Sequence, residues 1–327
     1  MAHDYSIIEF FPDRSASNCG YCSGTNCSVS TGMWAHVMTV EDYQDLINRN
    51  WRRSGKYCYH PNMKETCCPP YMIKCDTKNF RLGKHHKKLI KKFNRYLMTG
   101  QLNVTETEAA ADQPAKVSAK PSQSKHGSTQ SSQSGDGKIP PKHVKKGVGA
   151  DPTKPKAVKA KQLRLQKKLK SEMAESSSSA QSESSSAHQS REKGLADLLE
   201  EYDSAVAKHK FELRLVRSHP PSKEFEDSQL EEYEVYKKYQ MTVHKDPESK
   251  VTFSQFKNFL ISSPLVEETR HGVELGSFHY QYILDGKIIA VEVMDILPQF
   301  ISSKYFFYDP AYDFLTLGTY STLSTLR

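Results

Sequence analysis

No phenylalanine, tyrosine or tryptophan occurs between Tyr96 and Tyr202, a gap of 105 residues in a chain of 327. All 17 tyrosines, 14 phenylalanines and both tryptophans are therefore concentrated in the two flanking parts. The gap is rich in Ser, Lys, Ala, Gln and Pro, and ten of the twenty residues from Ser171 to Ser190 are serine. Such a segment buries too little apolar surface to offset the entropy of ordering it. One compact domain of 327 residues is excluded. The reading is a folded block over residues 1–102, a disordered linker over 103–194 and a second folded block over 195–327.

No run of eighteen or more apolar residues exists, which argues against a membrane span. The start carries Asp4, Glu9 and Asp13 and lacks the basic-then-apolar pattern of a signal peptide, so a cytoplasmic and nuclear protein is expected. All seven cysteines lie between Cys19 and Cys75. In a reducing compartment, clustering of this kind points to metal rather than to disulfides. The net charge of +8 is uneven, with Lys84, Lys87, Lys88, Lys91, Lys92 and Arg95 in one twelve-residue stretch. A second basic stretch runs over 154–170.

Local signals place the elements. Ser17 to Gly32 reads as loop. Thr39 is a candidate N-cap for a helix bearing Glu41 and Asp42 in its first turn and Leu46, Ile47 and Trp51 on its apolar face. Leu89, Ile90, Phe93 and Leu97 give the helix from Lys84 to Met98 a buried stripe, and Gly100 is its stop. Leu195 to Tyr202 suggests a helix, Phe211 to Arg217 a strand and Glu224 to Thr242 a second helix. Thr252 and Gln255 have capping-box spacing. Phe278 to Leu284 and Lys287 to Leu297 flank Asp285-Gly286, a favoured hairpin turn, and Ser303 to Tyr308 is a further strand. Helices before an antiparallel hairpin make the second block α/β or α+β.

Cys19 and Cys22 have the C-x2-C spacing of two thiolates on one metal, and Cys67-Cys68 form a second pair. Adjacent cysteines chelate one ion awkwardly and suit a cluster or a distorted four-sulfur site better. Cys27, Cys58, Cys75 and His60 are spare candidates. Zinc and iron–sulfur both use thiolates, so spacing leaves the choice open, and buried unligated thiols are the alternative.

Cys-Gly-Tyr-Cys at 19–22, Cys-Cys-Pro-Pro-Tyr at 67–71, Gly-Ser-Phe-His279, Asp-Gly-Lys-Ile-Ile-Ala290, Asp295-Ile-Leu-Pro298 and Phe-Phe-Tyr-Asp-Pro310 closely resemble the eukaryotic arginyl-tRNA–protein transferases. The resemblance covers both blocks. It implies a GNAT-like acyltransferase fold and transfer of arginine from arginyl-tRNA to proteins beginning with Asp, Glu or oxidised Cys. The product would be an N-degron read by ubiquitin ligases. It also implies zinc or an iron–sulfur cluster at Cys19, Cys22, Cys67 and Cys68. Glu292 and Lys304 depart from the family's small and apolar residues. The family's catalytic domain normally continues beyond Tyr-Asp-Pro, which suggests a shortened acyltransferase part. The alternative reading is thus a weak or inactive form that binds metal, tRNA or acidic N-termini as a regulator.

Asp295 is the first candidate for a catalytic carboxylate, because it interrupts an apolar strand where an unused carboxylate is costly; the alternative is pairing with a buried partner. An acidic acceptor needs a cationic pocket, for which His279 and Arg270 are the nearest basic residues, with Tyr280, Tyr308 and Asp309 lining the same cleft. The lysine face from Lys84 to Arg95 suits a tRNA backbone, an import signal or plain solvent.

Overall fold

The computed structural model describes residues 5–101 and 193–326. Nearly all of the expected linker and the whole 154–170 basic stretch lie outside the described residues. Met1–Thr107 and Glu192–Arg327 belong to one compact unit, so the two blocks, distinct in sequence, build shared cores.

The amino-terminal block is a four-stranded antiparallel sheet, β1 (Ile7–Ser17), β2 (Ser28–Val37), β3 (Arg52–Ser54) and β4 (Tyr57–Pro61), in the order β1-β2-β4-β3. Helix α1 (Val40–Asn48) enters between β2 and β3. Its predicted cap is present: Thr39 Oγ1 accepts from the Asp42 N–H at 3.1 Å. The reading of 17–32 as loop is corrected by β2, which starts at Ser28. Its small polar residues and Gly32 hide the strand, while Met33 and Ala35 turn into the core.

The second sheet has five antiparallel strands. β5 (Phe211–His219), β7 (Val273–Leu284), β8 (Lys287–Ile296) and β9 (Ile301–Tyr308) are neighbours in that order, and β6 (Glu268–Arg270) pairs with β7. Asp285 and Gly286 both have positive φ, 51° and 79°, as a type I′ turn requires. Asp285 also accepts from the Lys210 N–H at 2.8 Å and so ties the turn to β5.

Helices cover both faces of this sheet. On one side, α4 (Lys223–Tyr239) and α5 (Phe253–Phe256, continued as a π-turn through Ile261) pack Phe225, Tyr236, Phe256 and Leu260 against Val216, Val291, Val293 and Phe307. The other side is closed by α2 (Lys84–Thr99), α3 (Leu195–Leu199) and α6 (Leu317–Thr325). There Ile90, Phe93, Leu97, Leu198 and Tyr320 meet Tyr282, Ile289 and Ala290. Helix α2 ends as its sequence indicates, with Gly100 in the left-handed region at φ 68°. A third core joins β2 and α1 to the second sheet through Met33, Met38, Tyr43, Leu265, Leu275 and Leu297. The architecture is mixed α/β. Among the described residues, no helix is long and apolar enough to cross a membrane.

Candidate functional site

Two clusters carry chemistry. The first is the cysteine set. The Cys19–Cys22 loop is a tight knuckle: Ser23 N–H donates to Cys19 O at 3.0 Å, and Cys19 N–H donates to Gly24 O at 2.8 Å. A backbone bond from Cys67 N–H to Cys27 O, 3.0 Å, brings the Cys67-Cys68 turn alongside. The four sulfurs of Cys19, Cys22, Cys67 and Cys68 all lie within 4.8 Å of one another. Four thiolates around one tetrahedral zinc would stand about 3.8 Å apart, so this donor set fits a single four-sulfur ion with small adjustments. The neighbouring pair Cys67-Cys68 therefore does converge, on a chain that bends at both residues.

The Cys19 thiol is lowered to about 6 by the backbone N–H groups of Cys22 and Tyr21, against the opposing effect of burial. A thiolate is the ligating form, and these N–H donors are the support such a ligand needs. Gly24 has no room for a side chain, since a Cβ there would stand 2.6 Å from Cys27 Sγ. Of the other cysteines, Cys27 leans on the set, with its sulfur 3.1 Å from that of Cys67. Cys58 is sealed in the core and burial pushes its thiol up to about 11. Cys75 is exposed.

The second cluster is a buried charge group at the junction of the two sheets. Arg53 of β3 grips Asp295 of β8 with both ends of its guanidinium, Nε to Oδ2 at 3.0 Å and Nη2 to Oδ1 at 2.5 Å. Ser277 on β7 donates to the same Oδ1 at 2.8 Å. Both charged side chains are essentially inaccessible, at 1% and 0% exposure. Burial pushes the Asp295 carboxyl up, but Arg53 and Lys304 more than offset it, so it sits below the usual carboxylate range.

Lys304 completes the group. It is the extra residue of a bulge on β9, where Ser303 and Tyr305 face the adjacent Met294 and Val293. Its Nζ is buried without a hydrogen-bond partner. Burial first, then Arg53, lowers its amine to about 7, with Asp295 opposing. An unfolded lysine binds its proton up to about pH 10.4, so between pH 7 and that value the unfolded state holds the extra proton and stability rises with pH. Above pH 9 the raised Cys58 thiol acts with the opposite sign. The unfolding free energy measured in urea from pH 7 to 8.5 should therefore gain up to about 1.4 kcal/mol per pH unit from Lys304. Lys304→Met should flatten that slope; an unchanged slope would refute the assignment.

Asp295, expected to act on substrate, lies in a sealed site. Its ionised carboxylate is already bound by Arg53 and Ser277 and is a poor proton acceptor. The buried-partner alternative is the one the structure displays. Nor do the expected substrate residues share a cleft. His279 is buried on the face of β7 toward α4, with Nδ1 2.5 Å from Glu232 Oε2 and Nε2 3.3 Å from Leu260 O. Tyr280 alternates to the other face, where its ring meets Tyr282 at 5.4 Å. Arg270, at the sheet edge, is neutralised by Glu41 and Glu268. Tyr308 donates to Asp313 at 2.7 Å, and Asp309 accepts from Lys238 at 2.9 Å. Each is occupied by a local partner or by its packing, and strand alternation separates what sequence proximity suggested.

On α2, Lys84, Lys88, Lys91, Lys92 and Arg95 are exposed and Lys87 is half-buried. The basic face therefore points away from the core that Leu89, Ile90, Phe93 and Leu97 form. Nothing local in the sequence marks Arg53. The signal was indirect: Asp295 in an apolar strand demands a buried cation somewhere.

Comparison with known proteins adds to this geometry. The chain matches the family models described as arginine-tRNA-protein transferase, N terminus, over residues 17–88, and arginine-tRNA-protein transferase, C terminus, over residues 231–327. It is 37% identical to arginyl-tRNA–protein transferase 1 of Drosophila melanogaster, across 98% of this chain and 72% of that protein. With arginyl-tRNA–protein transferase 2 of Arabidopsis thaliana the identity is 30%, covering 96% of this chain and 66% of the plant protein. A shorter likeness, 30% identical over 36% of this chain and 44% of the other, links it to the aspartate/glutamate leucyltransferase of Pseudomonas putida. Both cysteine pairs fall inside the first model's span and Asp295 and Lys304 inside the second's. The chain belongs to the arginyl-tRNA–protein transferase family, a family of aminoacyltransferases.

Proposed function

We propose that this chain transfers arginine from arginyl-tRNA to the N-terminal amine of proteins beginning with Asp, Glu or oxidised Cys. The modified proteins would then be N-degrons directed to ubiquitin-dependent degradation, in the cytoplasm and nucleus. The observation that carries the transfer is the joint match of amino- and carboxy-terminal family models to parts that fold here as one unit. The choice of acidic acceptors is supported by the bacterial relative, whose name gives aspartate and glutamate.

In the reaction the acceptor amine attacks the ester carbonyl, an amide C–N bond forms, and the ester C–O bond breaks. The amine's proton ends on the released ribose hydroxyl. A free α-amine has a reference pKa of about 7.7–8.0, so much of it is already neutral near pH 7.5 and a strong base is unnecessary. What the protein must supply is position and oxyanion stabilisation. The Arg53–Asp295 pair serves position, by fixing β3 of the amino-terminal sheet to β7 and β8 of what we read as the GNAT-like sheet. The α2 lysines and Arg95 would hold tRNA phosphates without reading sequence. Cys19, Cys22, Cys67 and Cys68 would hold the metal, zinc or an iron–sulfur cluster, which supplies a cross-link between the knuckle and the 67–68 turn.

The test is transfer of radiolabelled arginine from arginyl-tRNA to peptides that differ only in their first residue. Peptides starting with Asp or Glu should be labelled at least about tenfold faster than one starting with Ala, the scale of one lost charged contact. Absence of labelling, under conditions where a relative labels the same peptides, would reject the transferase reading and favour the regulatory one.

A further inference from the structure

The outward face of the amino-terminal sheet has no role in anything described so far. Residues paired in an antiparallel register share a face, so Phe11, Gly32, Trp34, Tyr57, Tyr59 and Arg52 all lie on the side opposite Met33, Arg53 and Cys58. Trp34 is 40% exposed and Phe11 38%. Tyr57 and Tyr59 are half-buried, with rings nearly parallel at 16° and centroids 6.4 Å apart. Gly32 permits this arrangement, because a Cβ there would collide with the Tyr57 hydroxyl and ring. At the metal knuckle, Tyr21 is 81% exposed, and it lies near enough to Tyr59 to influence its hydroxyl, as does Arg52.

Exposed aromatic rings on a sheet, spaced along adjacent strands and accompanied by a guanidinium, are a surface on which unpaired bases stack. Arg52 supplies a cation beside the rings, and the one carboxylate on the register, Glu9, is matched by His36 at 3.6 Å. A protein partner would be served as well by aliphatic residues at these positions; flat rings with a neighbouring cation favour nucleobases. We propose that this face is a stacking platform for single-stranded RNA, namely the unpaired 3′ end of the aminoacyl-tRNA donor. The identity of the RNA rests on the function proposed above, whereas the stacking chemistry rests on the rings themselves.

The probe is a fluorescein-labelled single-stranded oligoribonucleotide ending in CCA, titrated with the full chain and followed by anisotropy. Tyr57→Ala Tyr59→Ala should weaken binding at least about tenfold, given the usual worth of base–aromatic stacking. Tyr57→Phe Tyr59→Phe, which keeps the rings, should bind within about twofold of the parent and guards against a folding artefact. The salt dependence should keep its slope in both, because no phosphate contact is removed. Tryptophan emission should quench on binding, and Trp34→Phe should abolish that quench. Unchanged affinity in the alanine pair, or an equal loss in the phenylalanine pair, would overturn the platform. So would displacement of the oligonucleotide by a peptide with an acidic N-terminus, which would assign the face to the acceptor instead. RNA binding that needs the rings in a chain that transfers no arginine would reject the function and leave the platform standing; full transfer by the alanine pair would do the reverse.

Discussion

Arg53→Leu should cost about 3–5 kcal/mol of folding stability, read as a fall in the urea midpoint, because it strands the Asp295 carboxylate in a sealed site. The loss has a particular pH dependence. Without the Arg53 guanidinium beside it, the Lys304 amine regains its proton more readily and can pair with Asp295. The destabilisation should therefore sit at the low end of that range near pH 7 and grow toward pH 8.5. Replacing both partners, Arg53→Leu with Asp295→Leu, should recover at least half of the loss, since a buried pair contributes little beyond an apolar replacement of similar size. A single mutant as stable as the parent would mean that the pair is hydrated in solution. The same variant should lose more arginine transfer than its unfolded fraction accounts for, because the two sheets that the pair joins are no longer fixed to each other.

The second large effect is expected at the cysteines. Purified anaerobically, the parent should carry metal, and Cys67→Ser Cys68→Ser should retain less than about a tenth of it, since two of four thiolates are gone. Because structural zinc can contribute about 10–16 kcal/mol in small peptides, removal should also loosen the fold around it. The Cys67 N–H to Cys27 O bond and the β2–β4 pairing next to it should lose hydrogen-exchange protection first. Elemental analysis that finds neither zinc nor iron in the parent, or equal metal in the variant, would remove the metal site. The ratio of iron, zinc and acid-labile sulfide in the same sample decides which group is bound.

Local chemistry made much of the fold readable. Thr39, Gly100, Asp285-Gly286 and the Leu89-Ile90-Phe93-Leu97 stripe each have a conformational consequence fixed by a few neighbouring atoms, and each has it here. The amino-terminal sheet was harder to read because β2 alternates small polar residues with a few apolar ones, a pattern close to that of a loop. At the cysteines, spacing anticipated which sulfurs gather. The acyltransferase half misled for a different reason. His279 and Tyr280 are adjacent in sequence, yet the pleat sends them to opposite cores. Arg53 and Asp295 are 242 residues apart and meet at 2.5 Å. No periodicity carries such a contact; only the incongruity of a carboxylate in an apolar strand hinted at it.

Helix α2 closes one face of a sheet whose strands all follow it in the chain, from Phe211 onward, and its ring partner Tyr320 comes later still. Its apolar stripe thus leaves the ribosome long before anything exists to cover it. At about 5–20 residues per second, the wait for Tyr320 is on the order of ten to forty seconds. During that interval Ile90, Phe93 and Leu97 form an uncovered patch flanked by lysines, a form suited to chaperone capture. Once the partners arrive, the length of chain between α2 and α3 matters little, because halving a loop changes its closure cost by only about 0.6 kcal/mol. Nascent-chain stability, rather than the finished fold, is where changes in that intervening length should register.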